Sequence, residues 1–119
     1  MKILIADDEV HIRKILGYAL TGAGYDVVSA QNGEEAINIM EKETVDLVIT
    51  DLSMPKMNGY ELTAKLKQNE KTKNIPVIVL TAIGQDDELQ MAKEAGADKV
   101  LSKPFSPKKM AEIVGEMLK

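Results

Sequence analysis

Asp7, Asp8 and Glu9 stand together just after the apolar run KILIA at 2–6. Asp51 follows VDLVIT at 45–50, Thr81 closes PVIVLT at 76–81, and Lys103 follows KVLS at 99–102. Each of these polar residues sits where a buried-looking stretch stops. Two carboxylates about 4 Å apart repel by about 4 kcal/mol at an effective dielectric near 20. Three brought together raise one pKa strongly or recruit a cation. Oxygen ligands with open positions suit Mg²⁺, which keeps waters and accepts a phosphate oxygen. A carboxylate beside such an ion and a lysine is placed to attack phosphorus and form an aspartyl phosphate. Lys103 would neutralise charge on the transferring group, and Thr81 would donate a hydrogen bond to one of its oxygens.

That chemistry needs residues far apart in sequence to meet, so the elements between them decide the matter. KILIA (2–6), DVVSA (26–30), VDLVIT (45–50), PVIVLT (76–81) and KVLS (99–102) are short, apolar and rich in Val and Ile, and read as strands. Helical spacing lies between them: Ile12, Ile15, Leu16, Ala19 and Leu20; then Ala36, Ile39 and Met40; then Leu62 and Leu66. Leu89, Ala92 and Ala95 continue it, and Met110, Ile113, Val114, Met117 and Leu118 form the clearest stripe. The pattern is βα repeated five times, an α/β chain with a parallel sheet covered by helices on both faces. Right-handed crossovers point all five strands the same way, so their C-terminal ends share one edge. Ligands of such sheets bind at that edge, near the switch point in strand order. Asp7, Asp8, Asp51, Thr81 and Lys103 are thereby gathered there; strand two adds only Gln31 and Asn32.

Bulk properties exclude much else. At 119 residues the chain is the length of one domain and long enough for a core without staples. It has no cysteine and a single histidine, His11, which excludes disulfides, thiolate metal sites and a multi-histidine zinc site. The net charge of −4 argues against a nucleic-acid surface, and the scarcity of aromatics argues against base stacking. No stretch has the length of a membrane span, and no signal peptide opens the chain.

Asp7–Asp8, Asp51 with MPKMNG behind it, Thr81–Ala82 and KPF at 103–105 together resemble the receiver domain of two-component response regulators. The resemblance covers the whole chain, 1–119, and is to a stand-alone, chemotaxis-type regulator. It implies a flavodoxin-like (βα)5 sheet of order 2-1-3-4-5. It implies that Asp51 accepts a phosphoryl group from a sensor histidine kinase or a histidine phosphotransfer protein. Asp7, Asp8, Asp51 and the carbonyl of Ser53 would hold Mg²⁺, with Mn²⁺ as a substitute, while Thr81 and Lys103 bind phosphoryl oxygens. Lys103–Pro104 would be a cis peptide. Kinase docking would use Ile12, Ile15, Ser106 and Pro107, and output would use helix four, strand five and helix five to reach a protein target. The resemblance further implies a cytoplasmic, monomeric signalling protein with no direct nucleic-acid contact. Its catalysis would be confined to its own phosphotransfer and autodephosphorylation.

Four positions depart from the family pattern or tune it. Val100 stands three residues before Lys103, where the family usually has the aromatic that turns inward when the threonine moves, so coupling from Thr81 is expected to be weaker or different. Asn58 replaces the usual aspartate before Gly59, with little expected effect. Ser53 and Ile83 flank the phosphoryl site, and an apolar Ile83 would shield an acyl phosphate from water.

Plainer readings stand beside these. Asp7 and Asp8 would serve as a helix N-cap, Asp51 as the start of a turn, Thr81 as an ordinary strand residue and Lys103 as a solvated one. His11 reads as an exposed helix residue, and the seven methionines as core filler. A haloacid-dehalogenase-type phosphatase would want a second aspartate at position 53, which is serine. A nucleotide or flavin module would want a Gly- or Ser/Thr-rich loop where ADDEVH stands. A degenerate receiver used only for docking would not need the complete acidic set.

Overall fold

A computed structural model of the chain describes residues 1–82, 86–103 and 106–119. The elements alternate as β1 (Lys2–Ala6), α1 (Val10–Gly22), β2 (Asp26–Ala30), α2 (Gly33–Lys42), β3 (Leu47–Asp51), α3 (Gly59–Gln68), β4 (Val77–Ala82), α4 (Asp86–Ala95), β5 (Lys99–Lys103) and α5 (Pro107–Met117). Five strands form one sheet in the order β2-β1-β3-β4-β5, all neighbours parallel. The parallel βα alternation is the one the sequence pattern predicts, and the strand order is the flavodoxin-like one that the family resemblance implies.

The period of two along each strand divides the core into two layers. Leu4, Val48, Val77 and Val79 face Ala36, Leu62, Leu66 and Ala92 of α2, α3 and α4. Ile3, Ile5, Leu47, Ile49, Ile78 and Leu80 face Leu16 and Leu20 of α1 and Met110 and Val114 of α5. Alternate residues are buried on both sides, which is why the strands read as continuous apolar runs rather than as polar–apolar alternation.

Boundaries shift by one or two residues from the sequence reading. β3 begins at Leu47, not at 45, because the Asp46 carboxylate accepts from the Lys2 amide at 2.7 Å, making this residue the entry clamp to the sheet. Pro76 lies outside β4, since it has no amide for a ladder. β3, β4 and β5 each extend one residue further, so Asp51 and Lys103 are the last residues of their strands. Ile15, placed on the α1 stripe, is 47% exposed; Leu16 and Leu20 carry the burial. Met1 and Met91 are exposed and are not core filler, whereas Met110 is fully buried. The side chain of Leu89 lies outside the described set, as do Ile83, Pro104 and Phe105 entirely.

Candidate functional site

The parallel ladders bring the strand ends into register. Ala6 lies opposite Thr50, Asp51 opposite Leu80, Thr81 opposite Ser102, and Ala82 opposite Lys103. The loop after β1 and the ends of β3, β4 and β5 therefore meet at one edge, next to the point where the order reverses between β1 and β3. Asp7, Asp8 and Asp51 each offer an oxygen there, all within 4.8 Å of one another. Lys103 Nζ stands 3.2 Å from Asp51 Oδ1 and 3.6 Å from Asp7 Oδ2. Lys56, adjacent in sequence to the Asp51 loop, is exposed and is not the partner of Asp51.

Burial sharpens the electrostatics. Asp7 is 1% exposed and Asp51 is 6% exposed, while Asp8 faces solvent. Burial, reinforced by the charge of Asp7 and opposed by Lys103, pushes the Asp51 carboxyl up to about 6. Burial also raises Asp7, against the Glu9 amide bond and Lys103. Burial works to lower Lys103, but Asp51 and Asp7 outweigh it and hold the ammonium above its ordinary value. One positive charge does not satisfy this cluster. Asp7 Oδ1 accepts from the Glu9 amide at 2.9 Å, yet the buried Asp7 Oδ2 has no hydrogen-bond partner, Lys103 being too far to supply one. An orphaned carboxylate oxygen facing two further carboxylates fits a hard divalent cation.

Asp7 and Asp8 do not occupy the N-cap of α1, which is Glu9, and the Glu9 side chain makes no capping bond. Asn32 caps α2 by accepting from the Glu35 amide at 2.8 Å. Thr81 is buried at the C-terminal end of β4. Ser53 is exposed on the loop after Asp51. Val100 pairs with Val79 inside the sheet and packs against the α2–α3–α4 layer, three residues before Lys103 along β5. Ile12 packs against the α1–α5 layer. Ser106 caps α5 by accepting from the Lys109 amide at 3.3 Å, and Pro107 opens that helix.

Several positioning residues escaped the sequence reading. Gly59 begins α3 directly against Asp51: a Cβ there would collide with the Asp51 carbonyl and lie 2.8 Å from Leu52 Cα. Its amide donates to the Leu52 carbonyl at 2.8 Å, and the Leu52 amide donates to the Leu80 carbonyl at 2.9 Å, so Leu52, the residue next to Asp51, is held through both of its backbone groups. Asn58 and Glu61 form a capping box on α3, a signal legible in N-x-x-E. Lys56 takes a φ of 65°, the left-handed value that lets the loop turn back towards Gly33, whose amide donates to the Met57 carbonyl at 3.2 Å. Arg13 reaches from α1 to the Asp7 carbonyl at 2.6 Å.

The fold is a doubly wound parallel sheet whose switch-point edge holds three carboxylates and a lysine. The chain belongs to the response regulator receiver domain family, whose profile matches residues 3–115. It is 43% identical over 118 residues to the probable transcriptional regulator ycf27 of Porphyra purpurea, covering 99% of this chain and 47% of the relative. The phosphate regulon transcriptional regulatory protein PhoB of Pseudomonas aeruginosa is 41% identical over 108 residues, covering 91% and 47%. The fold is similar to that of chemotaxis protein CheY4 of Vibrio cholerae, with a TM-score of 0.91, 32% identity and coverage of 98% of both chains. The chain spans about half the length of the two transcriptional regulators. No described helix is long and apolar enough to cross a membrane.

Proposed function

We propose that Asp51 is the phosphoacceptor of this receiver and that it takes its phosphoryl group from a histidine kinase or histidine phosphotransfer protein. The observation that carries this is Lys103 Nζ at 3.2 Å from Asp51, beside the orphaned Asp7 Oδ2. An Asp51 oxygen attacks phosphorus, the bond from phosphorus to the donor's imidazole nitrogen breaks, and the imidazole leaves with that electron pair. Asp7, Asp8 and Asp51, with the Ser53 carbonyl, would hold Mg²⁺ or Mn²⁺, which supplies charge neutralisation for the transferring group. Lys103 follows the new oxygens as an ammonium, and Thr81 offers them a hydroxyl donor. The aspartyl phosphate adds roughly 1.5 to 2 negative charges, by analogy with other phosphorylated side chains. Thr81 and Lys103 respond, and with valine at position 100 the outward signal runs chiefly through the loop after Thr81.

Ile12, Ile15, Ser106 and Pro107 are the proposed docking residues for the phosphodonor; they lie on the α1 and α5 side, where both helices start next to the site. The relatives' names support an output on transcription through a segment outside this chain, whereas CheY4, matched along its length, supports output by direct docking of the receiver. Intact mass after incubation with acetyl phosphate tests the common core of both. One phosphoryl group is gained in the presence of Mg²⁺, and none by Asp51→Asn; equal labelling of the variant would refute the assignment.

A further inference from the structure

We infer that Arg13 is a positioning residue for the acidic pocket, a guanidinium clamp on the loop that carries Asp7 and Asp8; the inference rests on the cation reading given above. Four polar groups of Asp7 need partners. Its amide donates to the Ala30 carbonyl of β2 at 3.1 Å, which continues the β1–β2 ladder by one rung. Its Oδ1 accepts from the Glu9 amide at 2.9 Å. The next donor of that ladder would come from position 32, but Asn32 has already turned away as the N-cap of α2. Arg13 Nη1 donates to the Asp7 carbonyl instead, at 2.6 Å.

The other end of the loop enters α1 through the ordinary i→i−4 helical bond, in which the Arg13 amide donates to the Glu9 carbonyl at 3.2 Å, as any residue but proline would there. The guanidinium bond to the Asp7 carbonyl is the contact that depends on the arginine side chain. With amide, carbonyl and Oδ1 engaged, Oδ2 alone of the Asp7 polar groups is left without a hydrogen bond, and it is buried. Groups behind a metal ligand that fix its orientation typically carry tenfold to a hundredfold in metal affinity. The charge of Arg13 acts in the opposite sense, because a nearby cation repels Mg²⁺. The two effects therefore differ in sign.

Calorimetric titration of metal-free protein with Mg²⁺ separates them, run well below the melting temperature of each variant. Clamping predicts that Arg13→Ala weakens Mg²⁺ binding by about tenfold and that Arg13→Lys, which keeps the charge and most of the reach, recovers much of it. Unchanged or tighter binding by Arg13→Ala, whatever its melting temperature, overturns the inference. It would mean that the residue acts on folding alone or through charge alone. An Arg13→Lys variant as weak as Arg13→Ala would also count against it. If the parent protein itself binds no Mg²⁺, the cation reading falls, and the clamp falls with it.

Discussion

The two edges of the sheet handle carboxylates in opposite ways. At the N-terminal edge, Asp98 Oδ2 accepts from the Val77 amide at 2.8 Å and from Lys67 Nζ at 2.7 Å. Lys67 also donates to the Ile75 carbonyl at 2.9 Å, so α3 and the entries to β4 and β5 are tied at one point. Asp46 does similar work for β1 and β3 through the Lys2 amide. At the C-terminal edge the carboxylates are deeper and less well served. Asp7 Oδ2 has no hydrogen bond, and Asp51 is pushed up to about 6. Satisfied polar groups hold strands together, whereas a buried carboxylate cluster short of donors is one that a cation would relieve. The two edges use the same side-chain types and are distinguished by their partners.

Exchanging the two edges by mutation gives the largest contrast. Asp51→Asn should abolish Mg²⁺-dependent phosphoryl loading, read by intact mass. Asp98→Asn should leave loading close to the parent. Loss of loading in both variants would erase the distinction between edges.

Gly59→Ala comes next. The methyl group has no room beside Asp51 and Leu52, and forced overpacking costs about 1–3 kcal/mol. Urea unfolding should show that loss, accompanied by slower loading because Asp51 itself is displaced.

The pH dependence of the metal-free protein sharpens the comparison further. The Asp51 carboxyl is raised from 3.8 to about 6 on folding, so between those values the folded chain holds a proton that the unfolded chain has released. Its stabilising contribution is full below the unfolded value and is lost as pH rises through about 6. Roughly 3 kcal/mol should therefore disappear between acidic and neutral pH in chelator-treated protein, with Asp7 acting in the same direction. Thermal melts should show a flatter profile for Asp51→Asn; identical profiles would contradict the origin assigned here.

Asp98→Ala should cost about 1–2 kcal/mol through the lost donors and the exposed need of the Val77 amide. The smallest effect is expected from Asn58→Ala, about 1 kcal/mol, from the lost capping box. Asparagine in place of the usual aspartate keeps a capping side chain at this position. The cap acts through α3, whose first residue packs against the Asp51 carbonyl.

The sequence by itself determined the alternation of five strands and five helices, because apolar runs and helical periods are local patterns. It also determined which residues stand at the strand ends, since parallel crossovers leave no freedom about which edge they share. Asp7, Asp8, Asp51, Thr81 and Lys103 were legible for that reason. Only the tertiary structure decided which carboxylate oxygen is left without a donor, how far Asp51 is raised, and that Gly59 has no space for a methyl group. It alone decided that Arg13 reaches the Asp7 carbonyl and that Ile15 turns outward. Those properties come from burial and from partners brought together across the sheet, and neither burial nor contact is written in the order of residues along the chain.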